Sequence, residues 1–324
     1  MLIAAAAIIA GFAILIWSAD LFIIGAASIA RNMGMSPIVI GMTIVSIGTS
    51  APEVLVSLTA AFTGAGELAI GNAIGSNIAN IGMVLGITLV VTPFVILQSA
   101  VKKEVLIMLA VTAMAGVMLA DNLLSGLEGM VLLTALVLVM TFLLRSQSKD
   151  PKLQEETGEE HPPELPALRA WLTFAAGLIL LIASSRLLVW GAVFTAQNLG
   201  VSELLIGLTV VAIGTSLPEL AATLASALRG HAEIAIGNVI GSNLFNLLAV
   251  MAIPGIVSSQ TLASEVIYRD YPYMVLLTVI LASAIYIGGR RRKAPKGYAY
   301  LGRIVGWLLV TLYALYYYLL YLSF

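Results

Sequence analysis

Two short segments carry most of the chemistry this chain could perform. Gly48-Thr49-Ser50-Ala51-Pro52-Glu53 recurs as Gly214-Thr215-Ser216-Leu217-Pro218-Glu219, each inside an apolar stretch. Proline lacks an N–H, so at Pro52 the carbonyl of Gly48 loses its helical partner and the preceding turn is pushed aside. Carbonyls around Ile47 to Thr49 then turn from the helical ladder, beside the hydroxyls of Thr49 and Ser50. In hydrocarbon such groups are tolerated only where they line a cavity or meet a ligand. An ordinary proline kink with a helix-facing polar patch is the plainer account. A carboxylate attached to the kink in both copies argues against it.

Charge then narrows the ligand. A lone carboxylate at the bilayer centre costs at least about 2.5 kcal/mol, and Glu53 and Glu219 brought together would also repel each other. One dication neutralises both; so do sodium ions, or protons. Ca2+ takes six to eight hard oxygen ligands in flexible geometry, and two carboxylates with freed carbonyls are of that type. Zn2+ and Cu2+ are disfavoured, because the chain has no cysteine and no histidine within an apolar run.

A second motif is also duplicated. Asn72, Ser76 and Asn80 are spaced by four and form one polar stripe on a helix, while Gly71 and Gly75 form a small-residue face. Asn238, Ser242 and Asn246, with Gly237 and Gly241, repeat it. Close packing through the glycines is expected to bring the stripe against the broken helix. Ser76, Asn80, Ser242 and Asn246 are read as cation ligands; Asn72, Asn77, Asn238 and Asn243 suit holding helices together.

The elements that must position these groups follow from composition. The 324 residues are 60% hydrophobic and only 10% charged, with a mean hydropathy of +1.04. A soluble domain carries about 25% charged residues, so this is an all-α polytopic membrane protein whose main partner is the lipid bilayer. Nothing points to nucleic acid, an obligatory protein partner or a cofactor. The first apolar run lacks a basic leader and continues to Ala30, which reads as a retained span rather than a cleaved signal. Runs long enough to cross the bilayer predict ten spans, near 2–30, 36–62, 69–97, 104–120, 123–145, 168–197, 203–228, 233–258, 271–289 and 298–322. The polar segment 146–167, rich in glutamate and proline, reads as a solvated linker too short for a regulatory domain. It separates a first five-helix repeat, 1–145, from a second, 168–324.

With the N-terminus outside, fourteen basic residues fall in inside loops or at their edges, only Arg269 falls outside, and Arg186 lies within a span. Positive charge is retained in the cytoplasm, so both termini are expected outside the cell (inner) membrane. A shift of 166 places Gly41–Asn80 on Gly207–Asn246 without a gap, with 22 of 40 positions identical. Five spans per half is odd, so the halves insert with opposite orientation. Such inverted repeats build secondary transporters around a midplane site. Asp20 and Arg186 are also 166 apart; direct pairing is disfavoured, because inverted symmetry puts them at different depths, and gate lining or snorkelling is as plausible. His161 and His231 read as surface residues.

The paired G-x-T-x-x-x-I-G-T-S-x-P-E and G-N-x-x-G-S-N-x-x-N segments resemble the alpha repeats of the sodium/calcium exchanger family, within the cation/Ca2+ antiporter superfamily, and most of all its compact prokaryotic members. The resemblance implies that Glu53 and Glu219 bind both Ca2+ and Na+. It implies that the backbone carbonyls of Thr49 and Thr215 complete the Ca2+ site. Carbonyls of Ser46 and Ala212, with hydroxyls of Ser50, Ser216, Ser76 and Ser242, would form flanking Na+ sites, and Asn80 and Asn246 would sit centrally. Some relatives carry aspartate where this chain has Asn246, which removes one titratable group here.

The expected mechanism is alternating access. The long first and sixth spans lack the motifs and would slide across a core of spans two, three, seven and eight. Two uncompensated carboxylates make the empty occluded state prohibitive, so Ca2+ and Na+ competing for the same oxygens would be coupled. An H+- or K+-coupled divalent cation exchanger is the alternative, and a cation channel a weaker one. An enzyme is disfavoured, because no His, Cys or Lys stands beside Ser50 or Ser216 as a base.

Overall fold

A computed structural model describes residues 1–147, 165–200, 212–289 and 295–322. Where the chain is apolar all round, the backbone can satisfy its polar groups in lipid only by hydrogen bonding to itself, which favours helix. Helix α1 (Leu2–Asn32) leads into α2 (Pro37–Thr49), which begins on a proline, where the missing N–H costs no hydrogen bond. The axis then bends by 47° into α3 (Ala51–Phe62), with Pro52 in its first turn. There follow α4 (Gly66–Val91), β1 (Phe94–Leu97), α5 (Gln98–Asp121), β2 (Leu123–Leu124) and α6 (Gly126–Gln147).

The second half holds α7 (Ala167–Asn198), the short α8 (Ala212–Thr215), α9 (Leu217–Leu228) and α10 (Ala232–Val257). After these come β3 (Gln260–Thr261), α11 (Val266–Gly288), β4 (Tyr298–Leu301) and α12 (Arg303–Leu322). Among the described residues eight helices are long and apolar enough to span a bilayer, and the bent α2–α3 pair makes a ninth. The protein is therefore an all-helical multi-pass membrane protein. Of the expected seventh span, 203–228, only the later part is seen, as α8 and α9. Residues 201–211 lie outside the described residues, as do most of the 146–167 linker with His161, and Arg290 to Lys293.

Two layers organise the helices. Helices α4 and α10 form the centre, 78% and 83% buried over their apolar windows against 17–39% for the other spanning helices. Helices α1 and α7 lie against each other in antiparallel register: a Cβ at Gly25 would strike Phe174, one at Gly177 would strike Phe22, and one at Gly191 would strike Ala4 and Ile8. Glycines on both helices permit this backbone approach. The two strand pairs are antiparallel and join the halves. β1 binds β4 with Phe94 opposite Leu301, and β2 binds β3 with Leu123 opposite Thr261.

Candidate cation site

At the first break, Ser50 N–H closes the last turn of α2 on the Ser46 carbonyl at 2.9 Å, and the ladder resumes with Val54 N–H on the Ser50 carbonyl at 3.2 Å. At the second break Ser216 N–H reaches only to the Ile213 carbonyl at 3.1 Å, and the ladder resumes with Leu220 N–H on the Ser216 carbonyl at 3.0 Å. Pro218 cannot donate to Gly214; instead the hydroxyl of Ser185, on α7, donates to that carbonyl at 2.9 Å. Ser185 was not singled out by the sequence motifs, and position 19, its counterpart one repeat earlier, is alanine.

Glu53 and Glu219 stand in the first turns of α3 and α9, and each is only 2% exposed. A helix N-terminus favours the negative charge there. The hydroxyl of Ser50, from the first break, donates to Oε1 of Glu219 in the second at 3.3 Å. The Ser50–Glu219 bond thus joins the two breaks that carry the carboxylates.

Helices α4 and α10 add Ser76, Asn80, Ser242 and Asn246, all buried. Oε2 of Glu53, Oε2 of Glu219, Oδ1 of Asn80, Oδ1 of Asn246 and Oγ of Ser242 are buried and receive no hydrogen bond. Buried polar atoms are almost always paired, and leaving oxygens bare is costly. Oxygen ligands are what a hard cation such as Ca2+ takes. No cluster of three or more acidic, histidine or cysteine side chains occurs among the described residues, so no third carboxylate joins this pair.

The remaining expected ligands lie around this centre. Ser46 is fully buried; its carbonyl, the atom expected to face Na+, accepts from Ser50 N–H at 2.9 Å, and its hydroxyl donates to the Met42 carbonyl at 2.7 Å. Ser216 is buried between α8 and α9, Thr215 closes α8 half-buried, and Ala212 opens it. Asn238 is committed to packing: it donates to the Thr223 hydroxyl at 2.9 Å and accepts from Thr49 at 3.3 Å. The glycine face brings α10 to the broken helix. A Cβ at Gly237 would lie 2.6 Å from the Ile38 carbonyl oxygen, and one at Gly241 would lie 2.5 Å from Met42 Cα. At Gly71 and Gly75 a Cβ would meet nothing within 4 Å among the described residues.

Several features escaped the motif reading. Both central asparagines open π-helical turns, Asn80–Leu85 and Asn246–Val250, a local widening common at functional sites. Asp20 does not meet Arg186; it pairs with Arg229 at 2.8 Å, linking α1 to the end of α9. Arg186 instead lines a cavity of about 570 Å³ that runs from Thr63 and Ala65 to Pro52, Gly214 and Thr215. His231 is half-buried before α10 rather than a plain surface residue. Its imidazole is held below its usual pKa by burial and then by Arg31 and Arg229.

Residues 3–145 and 169–322 match the family model described as sodium/calcium exchanger protein. The chain belongs to the sodium/calcium exchanger family. The two matched stretches of this exchanger-family chain flank the acidic linker, one on each side. A protein of Alkalimonas amylolytica, CaxA, is 42% identical over the whole of both chains. The inner membrane protein YrbG of Escherichia coli is 38% identical, over 95% of this chain and 94% of its own. The sodium/calcium exchanger MaX1 of Methanosarcina acetivorans is 28% identical over 86% of this chain and 90% of its own. Among solved structures, the sodium-calcium exchanger NCX_Mj soaked with Na+ and Ca2+ superposes with a TM-score of 0.81 and 31% identity, covering 96% of both chains. The family is one of transporters.

Proposed function

We propose that this family member is a secondary antiporter that exchanges Ca2+ for Na+ across the cell membrane by alternating access. The observation that carries the reading is the pair Glu53 and Glu219, both 2% exposed at broken helices, with oxygens that no donor meets. The transported ions complete that set: Ca2+ between the carboxylates and the Thr49 and Thr215 carbonyls. Na+ would bind at flanking positions with Ser46, Ala212, Ser50, Ser216, Ser76 and Ser242, and Asn80 and Asn246 lie between. The names of MaX1 and of NCX_Mj support Na+ as the counter-ion.

The chain is organised as ten spans in two inverted halves, with both termini outside. The antiparallel α1–α7 pair supports this plan, since α7 is the repeat counterpart of α1. So does the strand pairing, in which the segments after α4 and α10 each bind the segment before a helix of the other half. Under this topology the Thr63–Ala65 turn faces outward and Arg229 inward. The cavity beside α3 and α7 then admits ions from outside, while the Asp20–Arg229 bridge closes the equivalent inner route between α1 and α9. Sliding of α1 and α7 over the core would exchange the two.

Reconstitution into liposomes tests this directly. Ca2+ uptake is expected only against an opposing Na+ gradient, and Glu53→Gln is expected to abolish it. Uptake driven equally by a pH jump or a K+ gradient without Na+ would overturn the Na+ coupling, and uncoupled, non-saturating flux would overturn antiport.

A further inference from the structure

Asn246 is one of the oxygens offered to the cation, and its amide could point either way. Its neighbours decide the direction. Nδ2 of Asn246 donates to Oδ1 of Asn77, on α4, at 3.1 Å. Nδ2 of Asn77 in turn donates to the backbone carbonyl of Asn243 at 3.2 Å and faces the Met274 sulfur at 3.5 Å. A backbone carbonyl can only accept, and a thioether can only accept. The amino end of Asn77 is therefore held on Asn243, and its oxygen is turned to Asn246. That oxygen also only accepts, so Asn246 must present its N–H to Asn77 and its Oδ1 the other way. Oδ1 of Asn246 is buried with no donor facing it.

The repeat symmetry is broken at this point. Asn243 is the counterpart of Asn77 one repeat later. Its amide donates to the Val239 carbonyl of its own helix at 2.8 Å, and its Oδ1 receives nothing. It therefore does not hold Asn80 as Asn77 holds Asn246. The motif is duplicated in sequence, but among the described residues only the Asn246 amide is held by a side chain of the other half.

We propose that Asn77, a packing residue by its motif, is the positioning residue that fixes the Asn246 amide with its oxygen toward the transported cation. The proposal rests on the antiporter reading above and adds a division of labour: Asn246 is the preset neutral ligand and Asn80 the adaptable one. Without the acceptor on Asn77, the Asn246 amide is free to rotate and to place N–H groups, which repel a cation, in the site.

A double-mutant cycle with half-saturating Ca2+ as the readout tests this, using purified full-length protein in liposomes. Asn77→Ala is expected to raise half-saturating Ca2+ by about three- to tenfold, the worth of one hydrogen bond, with the maximal rate largely kept. In an Asn246→Ala background the same change is expected to alter it by less than about twofold, because nothing remains to position. Should Asn77→Ala fail to insert stably, Asn77→Ser, which keeps a small accepting hydroxyl, takes its place in the cycle with a smaller expected effect of the same form. An equal rise in both backgrounds, or no rise in either, would overturn the positioning role while leaving Ca2+ exchange by the wild type intact. A wild type that moves no Ca2+ would instead overturn the antiporter reading and this inference with it.

Discussion

The hydroxyl of Ser50 in the first half of the chain donates to the carboxylate of Glu219 in the second, at 3.3 Å. This bond spans 169 positions of sequence and joins the two broken helices at their breaks. Ser50 is fully buried, so a hydroxyl that serves a bare carboxylate in this state can turn its oxygen to an arriving ion. Ser50→Ala is therefore expected to raise half-saturating Na+ by roughly fivefold, while Ca2+ changes less, since the proposed place of Ser50 is in a flanking site. Ion-dependent flux in liposomes at varied Na+ and Ca2+ checks the split.

The Asp20–Arg229 bridge is partly exposed, with side chains 45% and 31% accessible. Exposed ion pairs contribute up to about 1 kcal/mol, which is about a fivefold change in a two-state equilibrium. Asp20→Asn is expected to move the population away from the state with the cavity open at Thr63. The chain has no cysteine, so a single Thr59→Cys in the cavity wall reports on access. Adding Asp20→Asn should slow its labelling by an impermeant maleimide two- to fivefold. Unchanged labelling would mean that the bridge does not set the balance.

One glycine lets two helices meet. Gly241→Ala would put Cβ 2.5 Å from Met42 backbone. It is expected to cost about 1–3 kcal/mol through forced displacement of α10 from α2. Thermal unfolding in detergent checks this, and an unchanged midpoint would contradict the packing.

Stability should also respond to acid at His231. Burial, then Arg31 and Arg229, lower its pKa in the folded chain below the usual 6.5. The unfolded state therefore binds more protons in the window just below pH 6.5, and stability falls as pH drops through it. Above that window the residue is neutral in both states and contributes no pH dependence. Melting temperatures between pH 7.5 and 5.5 should decline, and His231→Gln should flatten that decline.

Much of this protein was legible one residue at a time. Membrane insertion follows from apolar content, and the breaks follow from Pro52 and Pro218, because a missing N–H acts on its own helix whatever surrounds it. The pairing of Glu53 with Glu219 could be anticipated because duplication leaves a visible record. The boundaries moved most where strands stand: the third span ends at Val91 rather than 97, and the tenth begins at Arg303 rather than 298. There Phe94–Leu97 and Tyr298–Leu301 pair with each other instead of continuing their helices.

What only the tertiary structure decided is which side chains meet across helices. Asp20 finds Arg229 rather than Arg186, and Ser185 supplies the bond that Pro218 denies to Gly214. Asn77 turns Asn246 while Asn243 leaves Asn80 alone. Hydropathy and repeat periodicity are properties of the chain's own order, so sequence determined the helices and their duplicated motifs. Hydrogen-bond direction depends on the atoms that packing brings within about 3 Å, and identical motifs in the two halves need not meet identical neighbours.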